Sequence, residues 1–155
     1  MGAIEDPPPP ARPDVLFIYG TLLGVSGHPL AALLDQHGTR IGKGRIRARL
    51  YMIDEVDAKG PNTFPGAVPS AWNEDQVHGE LWQINNPDVV YPAFDAYENC
   101  GPEWPQPNEF LLRPVDVTTD TGAIISAASY LYTWDVGRAR LVPSGRFAEH
   151  MPDTR

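Results

Sequence analysis

Val15-Leu16-Phe17-Ile18-Tyr19-Gly20-Thr21-Leu22 is an apolar run that ends in a glycine-containing turn. A short run of this kind, bounded by a turn signal, is typical of a buried strand. Glycine permits positive φ and close backbone approach, so successive N–H groups after it can point the same way. Such a row of donors can bind an anion or a carbonyl oxygen. The stretch therefore predicts a strand over residues 14–19 that leads into a binding loop, although a strand ending in a plain turn would carry the same residues.

Composition limits the kind of partner that the protein can have. The chain has 155 residues, which is enough for one domain with one core. Its 20 acidic and 12 basic residues give a formal net charge of −8. A surface that follows phosphates needs clustered cations, and only Arg45, Arg47 and Arg49 come close. These three alternate as they would on the solvated face of a strand, so we expect no nucleic-acid partner.

The cysteine content and the hydropathy pattern bear on the compartment. Cys100 is the single cysteine, which excludes an intrachain disulfide and is typical of a reducing compartment. No apolar stretch approaches the roughly 20 residues of a membrane helix, and no signal peptide is visible. We therefore expect a cytoplasmic protein with no membrane partner. The sequence leaves the oligomeric state open.

Proline and polar residues mark the two ends of the predicted domain. Residues 1–13 contain Pro7-Pro8-Pro9-Pro10 and little that can be buried, so we expect a flexible, proline-rich lead. Residues 14–142 form the predicted globular domain. Residues 143–155 form a polar C-terminal tail, in which Phe147 is a candidate for docking on the body.

Periodicity between these ends predicts an α+β fold. One helix begins at Pro29 and ends before Gly38, and a second begins at Pro87 and reaches Glu98. Further strands are predicted over residues 45–52, 76–84, 109–118 and 123–134, with a shorter extended piece around 67–72, a loop over residues 56–62 and a hairpin turn at 120–122. Five or more strands with only two helices favour α+β over an alternating parallel sheet.

Short motifs after the opening strand follow one another in a distinctive order. They are Arg49-Leu50-Tyr51, Phe64-Pro65-Gly66, Val77-His78-Gly79-Glu80-Leu81-Trp82-Gln83-Ile84, Phe94-Asp95-Ala96-Tyr97-Glu98, the stretch 110–117 and Tyr130-Leu131-Tyr132. Together with Tyr-Gly-Thr-Leu at 19–22, this series resembles the gamma-glutamylcyclotransferase-like family, including its AIG2-like branch, over about residues 14–134. The resemblance implies a small mixed β-barrel with helices packed outside it and a pocket at one mouth.

Glu98 is the candidate catalytic residue. It lies four residues after Phe94, beside the apolar stripe of the second predicted helix, where partial desolvation would raise the pKa of its carboxyl. An ordinary surface glutamate at a helix end would have the same spacing. The resemblance to the family implies that Glu98 is the general base and general acid of the reaction.

The implied reaction is an intramolecular acyl transfer that needs neither cofactor nor metal. The α-amine of a γ-glutamyl amine or amino compound attacks its own γ-carbonyl, which releases 5-oxoproline and the attached amine. The protein supplies a folded substrate conformation, a proton carrier, and donors for the developing oxyanion. The predicted substrate-binding residues of the loop are Tyr19, Gly20, Thr21, Leu22, Leu23 and Gly24.

Several other residues allow more than one interpretation. Tyr130 lies in a late strand where family members can have a pocket tyrosine, and an isolated strand tyrosine can equally belong to the core. Phe110 stands where the family usually has tyrosine, and Trp104, in the proline-rich loop 99–108, either caps the pocket or anchors the loop. The histidines show no metal-ligand spacing, and Cys100 is either a thiol nucleophile or a passive buried residue.

Two other functions remain open from the sequence. One is a catalytically silent member of the family that binds a small ligand, and the other is a related γ-glutamyl amide hydrolase or lyase. The sequence does not identify the leaving group.

Overall fold

Two helices and seven strands form the part of the protein that the structure describes. The structure is a computed structural model that describes residues 6, 8, 12–20, 29–57 and 60–147, with the backbone alone at residues 56, 57 and 60–62. The elements are β1 (Val15–Ile18), α1 (Pro29–His37), β2 (Gly38–Asp57), β3 (Gly60–Pro69), β4 (Gln76–Ile84), α2 (Pro87–Tyr97), β5 (Phe110–Thr119), β6 (Ile124–Tyr132) and β7 (Arg140–Val142). Neither of the two described helices is long and apolar enough to cross a membrane.

Five of these strands close into a small mixed barrel. The order of hydrogen-bonded neighbours is β2–β4–β1–β6–β5, and β5 returns to β2 through the pairs Gly44↔Thr119 and Arg45↔Thr118. β1 runs parallel to β6, whereas the other pairings are antiparallel. β3 and β7 extend the sheet from β2. The predicted α+β fold, a mixed barrel with two flanking helices, is confirmed.

β1 is buried on both faces, which explains its unbroken apolar sequence. Side chains alternate between the faces of a strand. Phe17 and Tyr19 join the apolar cluster that the barrel strands enclose, whereas Leu16 and Ile18 join a second cluster with α1 and α2. A strand between two apolar layers cannot carry a polar face.

β4 approaches β1 closely at one glycine. A Cβ atom at Gly79 would meet the carbonyl oxygen of Ile18 and lie 2.8 Å from the ring of Phe17. The glycine of the Val-His-Gly motif therefore lets the two strands pack at the point where β1 ends.

The main error in the predicted elements concerns residues 56–62, which we expected to be a loop. The structure instead continues β2 to Asp57 and begins β3 at Gly60, with ladder pairs that include Val56↔Pro61. β2 is accordingly 20 residues long. Gly60-Pro61 suggested an irregular segment, but the ladder to β2 overrides that local preference.

Other predictions of local structure are confirmed. The turn at 120–122 has Gly122 at a φ of 92°, and its N–H donates to the carbonyl of Thr119 at 2.9 Å. Arg47 and Arg49 lie on an exposed face of β2, where Arg49 contacts Asp75 at 2.8 Å. Phe147 is buried among the barrel residues. β7 has three residues, too few for any periodicity to predict it.

Candidate active site

Tyr19 lies directly after β1 and joins three strands of the fold. Its hydroxyl donates to the carbonyl of Tyr130 at 2.6 Å and accepts from the N–H of Ala67 at 3.1 Å. The side chain is buried. Its pKa is raised, first by desolvation and then by the negative charge of Glu98. Tyr19 is therefore held in place by two hydrogen bonds, and the charge of the candidate catalytic residue Glu98 acts on its hydroxyl.

Gly20 is the last described residue after β1. A Cβ atom there would lie 3.0 Å from the ring of Pro65, so glycine allows the chain to pass close to the Phe-Pro-Gly motif. The next four predicted loop residues, Thr21, Leu22, Leu23 and Gly24, lie outside the residues that the structure describes. The binding role of the loop stays a prediction.

Glu98 caps the end of α2. Its φ and ψ are −89° and 3°, and its N–H donates to the carbonyl of Phe94 at 2.9 Å. Pro92 lies inside this helix on its exposed side. The helix thus continues past the proline and places Glu98 at its C-terminal end.

The carboxyl of Glu98 lies in a desolvated environment although the residue as a whole is partly exposed. Burial raises its pKa from 4.5 to about 8. Its negative charge raises the pKa values of Tyr19, Tyr130, Cys100 and Glu109. These groups belong to the end of β1, to β6 and to the segment between α2 and β5. The charge of Glu98 thus acts on Tyr19 and Tyr130, and a shared site of Glu98 with the loop after Tyr19 stays a prediction.

Tyr130 links the second helix to the barrel. It is buried, its hydroxyl donates to Oδ1 of Asp95 at 2.6 Å, and its ring stacks on Phe94 with centroids 6.2 Å apart. Its own carbonyl accepts from Tyr19. Tyr130 thus fixes the helix that ends at Glu98, and contact with a substrate stays a prediction.

A buried carboxyl that was not predicted from the sequence, that of Glu109, lies within the electrostatic reach of Glu98 and of Glu55. Glu109 directly precedes β5 and is only 6% exposed, and Glu55 belongs to β2. Desolvation first, and then Glu55 and Glu98, raise the pKa of Glu109 to about 8. Its position just before an apolar strand gave no sign of this, because Glu55 lies far away in the sequence.

The loop between α2 and β5 is held by its own polar side chains. The side chain of Asn108 accepts from the N–H of Gly101 at 2.8 Å and donates to the carbonyl of Pro105 at 3.0 Å. Trp104 is partly buried, and its indole N–H has no hydrogen-bond partner among the described residues. The loop is therefore internally braced, and a role for Trp104 in capping the pocket stays a prediction.

Phe110 packs in an aromatic group at the start of β5. Its ring lies 5.9 Å from that of Phe64 and 5.3 Å from that of Tyr132, the latter edge to face. The residue is buried. The departure from the family's usual tyrosine thus falls in an apolar contact between β3, β5 and β6.

The thiol of Cys100 has the wrong environment for a nucleophile. It is buried, and desolvation raises its pKa to about 11. A thiol with a raised pKa stays protonated and inert at neutral pH. No group of three or more metal-ligating side chains occurs within the described ranges.

Comparison with known proteins identifies the family. Residues 16–149 match the model of the family described as gamma-glutamyl cyclotransferase, AIG2-like. The chain belongs to this family. The resemblance inferred from the sequence motifs is thereby confirmed. No curated protein matches the chain.

Solved structures of other proteins share the fold. YkqA from Bacillus subtilis is 24% identical with a TM-score of 0.59, and the alignment covers 89% of this chain but 40% of YkqA. YtfP from Escherichia coli is 23% identical with a TM-score of 0.54, over 88% of this chain and 97% of YtfP. A structure named gamma-glutamyl cyclotransferase is 18% identical with a TM-score of 0.55, over 78% of this chain and 67% of its own. At these identities the similarity concerns the fold alone.

Proposed function

We propose that this protein is a cofactor-independent cyclotransferase that releases 5-oxoproline from a γ-glutamyl amine or γ-glutamyl amino compound. The observation that supports this most strongly is the desolvated carboxyl of Glu98, whose charge also raises the pKa of Tyr19 at the end of β1. Glu98 acts as general base and general acid in this proposal. Family membership supports the class of chemistry.

The reaction asks little of the protein beyond positioning and proton transfer. The nucleophile is the substrate's own α-amine, so no serine, cysteine or metal has to attack the carbonyl. Folding the substrate into a ring-closing conformation can contribute several kcal/mol, on the order of 7 or more in favourable cases. A carboxyl with a pKa of about 8 exchanges protons readily near neutral pH, which suits it to general acid–base work.

The negative oxygen of the tetrahedral intermediate needs aligned donors. We propose that the N–H groups of the loop from Gly20 to Gly24 provide them, since this loop follows β1 and begins beside Tyr19. Removing one donor of this kind costs about 3 kcal/mol of transition-state stabilisation in enzymes. We also propose that Tyr130, whose hydroxyl donates to Asp95, borders the same pocket.

The test is the identity of the product formed from a panel of γ-glutamyl amines and amino acids. A cyclotransferase yields 5-oxoproline, whereas a hydrolase yields free glutamate. A ligand-binding protein without activity yields neither product but still binds members of the panel. When the variant Glu98→Gln is assayed with the same panel, Glu74→Gln is its matched control, because Glu74 is exposed in the β3–β4 connection. Glutamate as the sole product, or no product from any compound, would refute the proposal.

The location of the protein in the cell is a separate proposal. Cys100, the single cysteine, is free and buried, and we propose the cytoplasm because that compartment keeps thiols reduced. The expected independence from nucleic acid stays a prediction, supported by the net charge of −8.

A further inference from the structure

Asp95 lies in the last turn of α2, where a helix gains nothing from a negative charge. The carbonyl end of a helix carries partial negative charge, so acidic side chains are unfavourable in its last turn. All of α2 is described, and its last turn holds no basic side chain that would offset this charge. Aspartate is also a weaker helix former than alanine or leucine. Local helix stability therefore does not explain an aspartate at this position, and the reason lies in its contacts.

The side chain of Asp95 holds the helix against the barrel. Its Oδ1 accepts a hydrogen bond from the hydroxyl of Tyr130 at 2.6 Å, and the ring of Tyr130 stacks on the neighbouring Phe94 with centroids 6.2 Å apart. Desolvation, and then the charge of Asp95, raise the pKa of Tyr130, so this hydroxyl keeps its proton and remains a donor. Both rings are buried, and Asp95 is half-buried. Hydrogen bonds of this length to a carboxylate are among the stronger ones in proteins.

The backbone of Asp95 also closes the turn that contains Glu98. The N–H of Cys100 donates to the carbonyl of Asp95 at 2.9 Å. Asn99, at a φ of 53°, donates its N–H to the carbonyl of Ala96 at 3.4 Å. These two bonds form the Schellman motif of a helix end, with Glu98 as the C-cap. Glu98 and Asp95 thus belong to one closed turn, so a contact that fixes the aspartate also fixes the backbone of the glutamate.

Tyr130 continues this link to the start of the predicted substrate loop. Its carbonyl accepts from the hydroxyl of Tyr19 at 2.6 Å, and that hydroxyl accepts from the N–H of Ala67 at 3.1 Å. Tyr19 directly precedes the loop that is proposed to bind the oxyanion. Two hydrogen bonds, one on each side of Tyr130, therefore connect the helix that ends at Glu98 to the residue from which the loop starts.

We infer that Asp95 is a positioning residue of the proposed reaction. Through the hydroxyl of Tyr130 it holds the last turn of α2, and with it Glu98, in a fixed position relative to the start of the substrate loop. This role rests on the proposed function, which gives Asp95 itself no part. Proton transfer between Glu98 and a substrate held by another element depends on their relative position, and a displacement of about 1 Å can lower the rate about 100-fold.

Rates of 5-oxoproline formation in single variants test this role. Tyr130→Phe removes the hydroxyl and keeps the ring, whereas Asp95→Ala removes the acceptor. We expect either change to lower kcat about 10- to 100-fold and to change KM by less than about threefold, because the bond acts on the position of Glu98 and not on substrate binding. Asp95→Asn keeps an acceptor oxygen in a side chain of the same size, and its kcat should lie within about fivefold of wild type.

The double variant Asp95→Ala/Tyr130→Phe distinguishes one shared role from two separate ones. Because both groups make the same bond, the second substitution should lower kcat by less than about twofold after the first. Asp88→Ala is the matched control and should leave kcat and KM unchanged, since Asp88 lies in the first turn of the same helix with its side chain 91% exposed. A double variant whose loss in kcat is the product of the two single losses overturns the inference. A Tyr130→Phe variant with raised KM and unchanged kcat does so as well.

Amide hydrogen exchange tests the link without any substrate. The N–H groups of Glu98 and Cys100 close the last turn of α2, and we expect them to exchange at least about tenfold faster in Tyr130→Phe and in Asp95→Ala than in wild type. The amides of the β2–β4 ladder should accelerate less, which distinguishes local opening of the helix end from a general loss of stability. Acceleration at Glu98 and Cys100 that is no larger than in the ladder overturns the inference.

The two kinds of measurement also separate this inference from the proposed function. Wild-type protein that forms no 5-oxoproline refutes the proposed function, and the exchange rates then still decide whether the bond holds Glu98 in place. Thermal melting checks that each variant is folded. If Asp95→Ala does not fold, Tyr130→Phe and Asp95→Asn carry both comparisons.

Discussion

Replacing Glu98 with glutamine should change the pH dependence of stability in a defined direction. The folded protein holds the Glu98 proton up to about pH 8, whereas the unfolded chain releases it near its ordinary value of 4.5. Between these values the folded state binds more protons, so the free energy of unfolding falls as the pH rises. Above about pH 8 both states are ionised and this contribution is constant. Glutamine cannot ionise, so the free energy of unfolding of the variant does not fall in this way as the pH rises.

The size of the effect follows from the shift in pKa. At about 1.4 kcal/mol for each pH unit, the rise from 4.5 to about 8 corresponds to about 5 kcal/mol. Glu98 is partly exposed, and solvent reduces the cost of its charge. We therefore expect Glu98→Gln to be more stable than wild type by roughly 2–4 kcal/mol at pH 9, and by less than about 0.5 kcal/mol at pH 4.5.

Urea unfolding at pH 4.5, 6, 7.5 and 9, followed by tryptophan fluorescence, measures this difference directly. Glu109 contributes a slope of the same sign to both proteins, and the loss of the Glu98 charge removes part of the rise in the pKa of Glu109, so the difference reports Glu98 together with its effect on Glu109. The variant Glu74→Gln, changed at an exposed position, should follow wild type throughout. A constant difference between wild type and Glu98→Gln across this range would refute the desolvation of the carboxyl.

Three further substitutions or reactions test the surroundings of the site. Tyr19→Phe removes the hydroxyl that bonds to two buried backbone groups, and we expect the free energy of unfolding in denaturant to fall by about 2 kcal/mol. An unchanged midpoint of denaturant unfolding would show that these bonds contribute nothing. Cys100, buried and with a pKa of about 11, should react with iodoacetamide only as the protein unfolds, so rapid labelling of native protein would contradict its environment. Gly79→Ala should destabilise the fold by about 1–3 kcal/mol, because the new methyl group meets the backbone of β1. A variant with wild-type melting would disprove the close approach of the strands.

The sequence predicted the features that depend on local pattern. β1 has an unbroken apolar run because both of its faces are buried, and the Tyr97-Glu98 pair follows the apolar stripe of α2. Local signals were misleading at Gly60-Pro61, where pairing along the full length of β2 stabilises a strand that propensity would not favour.

Features that join distant segments could not be predicted in this way. The closing pair Gly44↔Thr119 joins β2 to β5 across the barrel, and no periodicity encodes it. Glu55 and Glu109 come within electrostatic reach of each other for the same reason, since they belong to β2 and to the residue before β5. An interaction of this kind becomes visible only when the barrel is assembled.

Formation of 5-oxoproline by wild type and by Glu98→Gln, with the same γ-glutamyl compounds and at the same pH, tests the central proposal most directly. We expect turnover by wild type and at least about a 100-fold lower rate in the folded variant, as the loss of a general acid–base group would give. The variant should still bind the compounds. Equal rates of 5-oxoproline formation in the two proteins would contradict the assignment of Glu98 as the proton carrier.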